Sequence, residues 1–145
     1  MGARRSGREA ALQILFQIDI TGHTPENAIA LFWPNFGTDP EGTTYANRAV
    51  HGVIEHLHEI DPKIVAASTH WRIERMTRVD RTLLRLGTWE LIYQPEIPRA
   101  VILDEAVELA KEYGTDESSS FINGVLNQIA EALGRQDSDR GQQPI

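Results

Sequence analysis

Three arginines lead the chain. Arg4, Arg5 and Arg8 stand in the first eight residues with no acid among them, a local charge of +3. The remaining residues hold 11 basic and 21 acidic side chains, a balance of −10, so the net charge of −7 alone points away from nucleic acid. A basic arm on an acidic body nevertheless suits local binding of a polyanion. Each guanidinium offers planar, bidentate contacts to phosphate and a flat face that stacks on a base. The competing account is a disordered start whose arginines are merely solvated.

Histidines and carboxylates crowd a second place: His51, Glu55, His56, His58 and Glu59. The H-E-x-x-H and H-x-x-E-H spacings of zinc hydrolases are absent. His51 and His56 fall about 140° apart on a helix and cannot face one metal. His51 and His58 share a face, but no third ligand is identifiable. These side chains are read as solvated or partner-facing, with no metal site. The chain has no cysteine, which excludes disulfides, thiolate ligands and cysteine nucleophiles. There is no G-x-x-x-x-G-K-[ST] or G-x-G-x-x-G phosphate loop and no G-x-S-x-G elbow. No catalytic residue and no cofactor is assigned, and the chain is read as not an enzyme.

Two further clusters carry polar chemistry. Ser118, Ser119 and Ser120 follow Asp116 and Glu117 at the start of an apolar-periodic run. Their hydroxyls beside a helix N-terminus would make a phosphate seat, against which the two acids argue. Ordinary helix capping explains the same residues. Arg78, Arg81 and Arg85 fall within about 60° on a helix, just after Arg72 and Arg75. Glu74, Asp80 and Glu90 are interleaved, so this stripe is read as structural or partner-facing rather than RNA-facing.

Helices position all of these groups. Apolar spacing predicts a first helix over about 6–21, closed by Gly22, and a second opened by Thr24-Pro25-Glu26 and stopped at Pro34. A loop over 35–43 leads to a third helix over about 44–60. Asp61-Pro62 opens a short fourth to about Thr69, and 70–77 is a connector. A fifth helix covers about 78–93 and a sixth about 101–113, with Gly114 at its C′ position. A seventh, capped by Asp116, runs to about Leu133. Asn123-Gly124 is a hairpin signal, but Ile122, Val125, Leu126 and Ile129 recur at helical spacing. Helix is favoured there, with Gly124 admitting a close neighbour. Trp89 is assigned to the core; Trp33 and Trp71 are left as core or interface. No strand candidate survives. No apolar run approaches the length of a membrane span, and the broken apolar stretch after the arginines reads as an amphipathic helix, not a signal peptide.

The blocks ARRSGREAALQILFQID (3–19), RMTRVDRTLLRLGTWEL (75–91), IPRAVILDEAVELAKEYG (97–114) and SSSFINGVLNQIA (118–130) together resemble the NusB family, over about residues 3 to 133. The resemblance implies an all-α fold of about seven helices in two packed small bundles. These would form a single domain over 1–134, an N-terminal bundle about 6–60 and a C-terminal bundle about 61–133, with 135–145 a polar, disordered tail. It implies a cytoplasmic bacterial transcription antitermination factor. The expected partners are single-stranded boxA RNA of ribosomal RNA transcripts, the ribosomal protein NusE and the RNA polymerase antitermination complex. Some family members form homodimers, so a homodimer is a further possibility.

Residue by residue, Arg4, Arg5 and Arg8 match the family's basic N-terminal motif. Phe16 stands where the family usually has tyrosine, and is either a stacking face for an unpaired base or packing between the bundles. Glu117 and Phe121 match an acid and an aromatic near the RNA, and Ser118 belongs to the same surface. Phe121 is otherwise a buried residue. Glu74 and Asp80 match positions that face NusE. The rival reading is a helical interaction module of the same fold that does not bind RNA. A methyltransferase carrying such a domain fails on length.

Overall fold

The computed structural model describes residues 3–35, 40–69 and 71–136. Among them are seven α-helices, two short 3-10 turns and no strand. None of the helices is long and apolar enough to cross a membrane. The chain divides into two compact units, Met1–His56 and Leu57–Ile145.

The first unit holds α1 (Ala3–Thr21), α2 (Pro25–Phe32), a 3-10 turn (Trp33–Asn35) and α3 (Pro40–Glu55). Thr24 caps α2 by accepting the Asn27 N–H at 3.1 Å, with Pro25 in the first turn. Gly22 ends α1 at φ +73°, a conformation that costs glycine little. The main packing is α1 on α3. Ala11 and Ile14 of α1 and Ala46, Ala49 and Val50 of α3 are fully buried. A Cβ on Gly7 would lie 2.9 Å from the Gly42 carbonyl oxygen, so the bare glycine lets the two helices approach closely.

The second unit holds α4 (Leu57–Ala67), a 3-10 turn (Ile73–Arg75), α5 (Arg78–Tyr93), α6 (Arg99–Tyr113) and α7 (Ser118–Ala132). Helix α5 packs against α4, α6 and α7, and α6 packs on α7. Leu83, Leu84, Leu86, Trp89 and Leu91 of α5 are buried, as expected for Trp89. Each such side chain contributes about 1.5–3 kcal/mol on leaving water. Thr77 caps α5 by accepting the Asp80 N–H at 3.1 Å.

Several expectations are corrected. Helix α1 starts at Ala3, not near Ser6, so the arginines lie on the helix itself. Helix α3 begins at Pro40, earlier than expected; residues 36–39 of the expected loop lie outside the described residues. The fourth helix begins at Leu57, and Pro62 sits inside it rather than opening it. Ile60 and Ile64, both fully buried, straddle that proline at i, i+4. Their burial in one helical register outweighs the single backbone hydrogen bond that Pro62 forgoes.

Gly114 does not take the left-handed C′ conformation; its φ is −99°. Asp116 does not cap α7, whose N-cap position is Glu117, with no side-chain capping bond. Arg135, expected in a frayed tail, is anchored: its guanidinium donates to the carbonyls of Leu91 and Ile97 at 2.6 Å each. Its own carbonyl accepts from Arg99, which also donates to Asn127 and Glu131. Residues 137–145 of the expected tail lie outside the described residues.

Residues 123 and 124 are helical, yet a Cβ on Gly124 would meet nothing within 4 Å. The close neighbour expected there is absent among the described residues. Gly124→Ala should therefore raise unfolding stability by roughly 0.5–1 kcal/mol, measured by urea denaturation. A loss of stability would show that this glycine is needed sterically.

The Tyr93 hydroxyl donates to Glu59. That bond holds the Tyr93 phenol above its ordinary value of 10.0, with burial and the carboxylate charge adding to the effect. Since the folded value is raised, the bond's contribution to stability is complete below pH 10 and fades as pH climbs through the folded value. Ultraviolet titration should show Tyr93 ionising late, and Glu59→Gln should make it ionise earlier.

Candidate functional site

In the first unit the arginines divide. Arg4 and Arg5 are exposed on the first turn of α1. Arg8, one turn on, is only 4% exposed, with its guanidinium carbon 6.0 Å from the centroid of the Tyr45 ring. Arg8, expected as an RNA contact, is thus packed against this ring. Helical periodicity carries it beneath α3, where the face of a buried aromatic ring attracts a cation. Arg4 and Arg48 approach the same ring at 5.5 and 5.4 Å. Arg48 is exposed and adds a cation to the cluster. Sequence reasoning missed it because its i, i+3 relation to Tyr45 gains meaning only once α1 packs on α3. Phe16 is half-buried, leaving part of its ring accessible.

In the second unit the start of α7 is built around a hydroxyl. Ser118 is 1% exposed. Its Oγ donates to Asp80 Oδ1 at 2.7 Å and accepts the Thr115 N–H at 2.9 Å. Ser118, expected as a phosphate contact, thus has its hydroxyl engaged within the fold and shielded from solvent. Ser119 is half-buried, and Ser120 and Glu117 are exposed. Asp80, half-buried at the start of α5, has one carboxylate oxygen engaged by that serine. Glu74 is exposed in the turn before α5.

Phe121 is half-buried, and the ring of Trp71 meets it edge-on at 5.9 Å and 71°. Trp71 itself is 59% exposed. With Val65, Ile73 and Glu74 it lines a surface groove of about 340 Å³. The structure thus joins Asp80 to Ser118 directly, and places Trp71 between the candidate acid Glu74 and the candidate aromatic Phe121. Trp33, in the first unit, donates its indole N–H to Asn47 at 2.9 Å.

The arginine stripe is largely structural. Arg81 donates to the carbonyls of Ile73 and Met76, at 3.2 and 3.3 Å, and so ties down the turn before α5. Arg85 forms a bidentate pair with Asp61 of α4 at 2.9 and 2.8 Å. Arg78 is exposed. In the histidine cluster, a His56 ring nitrogen lies 2.8 Å from the Gly52 carbonyl oxygen and His51 lies 3.9 Å from Glu26. Among the described residues no three metal-binding side chains converge.

The chain is similar to proteins of a known family. The model of the NusB family matches residues 5–131. The transcription antitermination protein NusB of Sorangium cellulosum is 59% identical over 140 residues, 97% of this chain and 100% of that protein. Its counterpart in Myxococcus xanthus is 46% identical, over 93% of this chain and 99% of the other. A solved structure of T. maritima NusB superposes with a TM-score of 0.83 at 33% identity, covering 95% of this chain and 96% of that one. The antitermination factors NusB and NusE in complex with dsRNA give a TM-score of 0.77 at 29% identity, covering 91% and 98%.

Arg85→Gln should lower stability by about 1–2 kcal/mol, the range of a charged, partly exposed hydrogen-bonded pair. It should leave RNA affinity unchanged. A drop in RNA affinity with stability intact would return the stripe to the interface.

Proposed function

The chain belongs to the NusB family, and on that premise we propose that it is a transcription antitermination factor. It binds boxA RNA of ribosomal RNA transcripts together with NusE and helps RNA polymerase pass terminators. It acts in the cytoplasm and without catalysis. The observation that carries the RNA reading is the pair of exposed guanidiniums, Arg4 and Arg48, at one ring, with exposed Arg5 next to Arg4 in the chain, on an otherwise acidic protein. Held by a helix or by Tyr45, these cations lose little freedom when they meet phosphate.

Each unit supplies its own contacts. In the first, Arg4, Arg5 and Arg48 take phosphates, and Phe16 offers a ring face to an unstacked base. Arg8 supports them from below through Tyr45. In the second, Phe121 stacks and Glu117 repels phosphate, which holds RNA affinity low until the partner is present. Glu74 and Asp80 face NusE, where acids suit a basic ribosomal protein by raising on-rate and specificity. By linkage, RNA tightens the protein pair by the same factor that NusE tightens RNA binding.

The test is fluorescence anisotropy of labelled boxA RNA over a salt series, with and without NusE. Because the related complex contains dsRNA, the RNA is offered both single- and double-stranded. Arg4→Ala with Arg5→Ala removes two phosphate contacts. The slope of log K against log salt should then fall in magnitude by about 1.4 on a single strand. Equal, weak binding of boxA and scrambled RNA even with NusE would overturn this reading in favour of an interaction module.

A further inference from the structure

Two contacts within the second unit run from the neighbourhood of the residues assigned to the protein partner to α7, which carries Phe121, assigned to RNA. The first is the hydrogen bond from Ser118 to Asp80, 2.7 Å long. The second is the edge-on contact of Trp71, which shares a groove with Glu74, against Phe121. The hydrogen bond is the more demanding of the two. Ser118 is 1% exposed, so its hydroxyl has no water to turn to, and a buried donor left unpaired is costly.

The loop before α7 is drawn into the same arrangement. Thr115 donates its N–H to the Ser118 oxygen at 2.9 Å. A Cβ on Gly114 would lie 2.5 Å from that oxygen and 2.6 Å from Ser118 Cβ, so the bare glycine lets the loop close on the serine. Loop, hydroxyl and carboxylate form one continuous chain of bonds from the end of α6 to the first turn of α5. Phe121 follows Ser118 by three residues, within the next turn of α7.

We propose that the Ser118–Asp80 hydrogen bond is the latch through which NusE docking tightens RNA binding. Ser118 is a positioning residue: it touches no RNA, but fixes the first turn of α7 and with it Phe121. An ionised carboxylate accepts at both oxygens, so a basic side chain of the partner and Ser118 can share Asp80. A cation that pairs with Asp80 restrains its rotamer and sharpens the hydrogen bond Ser118 depends on. RNA then meets an ordered α7 start and no longer bears the cost of ordering it. This inference rests on the assignment of Asp80 to the partner and Phe121 to RNA.

The readout is a ratio, the RNA Kd without NusE divided by the RNA Kd with saturating NusE. It is measured for the native chain, Ser118→Ala and Arg85→Gln. In the native chain the ratio should fall in the range of roughly 5 to 150. Ser118→Ala should cut it by about tenfold or to unity, the scale of a hydrogen bond to a charged group. Arg85→Gln, which loosens α4 from α5 elsewhere, should leave it unchanged.

If Ser118→Ala weakens RNA equally with and without NusE, Ser118 is an RNA contact or a stability residue and the latch is overturned. The same holds if Arg85→Gln lowers the ratio as much. Should Ser118→Ala not fold, the native chain is titrated with NusE alone and followed by amide NMR. Shifts at Thr115 and Phe121 support the latch, and silence there overturns it. A native chain that binds NusE but no RNA sinks the functional reading itself, a result distinct from an unchanged ratio.

Discussion

Helix α5 is enclosed along most of its length. Thr82 to Leu84 and Leu86 to Leu91 are buried, Glu90 among them. A helix so surrounded gives its polar side chains little access to water, and those at its margins find partners on neighbouring segments, while the fully buried Thr88 hydroxyl has none among the described residues. Asp80 accepts from the start of α7, Arg81 holds the preceding turn, Arg85 pairs with Asp61 on α4, and Tyr93 donates to Glu59 on α4. The layout of the second unit follows from these exits. So does the placement of its candidate surface residues, which lie on segments that α5 holds.

Periodicity and capping chemistry read the helices well, because both are local. Thr24-Pro25 opens α2, residues 78–93 form α5, and Trp89 is in the core. Burial of polar residues is harder to read, for another reason. Arg8 and Ser118 both look like surface chemistry in a linear reading, and both are covered by a helix distant in sequence. An apolar stripe shows which face of a helix turns inward, but not which polar residue at its margin lies beneath a neighbour. Pro62 misled for a related reason: its local signal opposes a helix, and the burial of Ile60 and Ile64 overrides it. Arg48 was invisible because its importance comes from a ring on its own helix and two arginines on another.

The charge distribution has a physical logic beside the geometry. A protein with net charge −7 is repelled by polyanions over most of its surface. On the proposed reading, binding begins at the small cationic cluster. Local attraction on a repulsive background limits indiscriminate association with nucleic acid, a way of gaining selectivity by penalising wrong contacts. Exposed Glu117 extends that repulsion to the vicinity of Phe121.

The anchoring of Arg135 bears on how the chain is made. Its bonds to Leu91 and Ile97, and the one its carbonyl accepts from Arg99, span 44, 38 and 36 residues. The first unit, by contrast, is complete at His56. During synthesis the two units are therefore served differently. The first has all its partners while more than half the chain is still to be translated, and domains generally fold as units, N-terminal first. The second must wait for nearly its last described residue before the carbonyls of Leu91 and Ile97 are satisfied. A ribosome that stalls late would leave a chain with the arginines around Tyr45 assembled and the rest of the proposed interface unfinished.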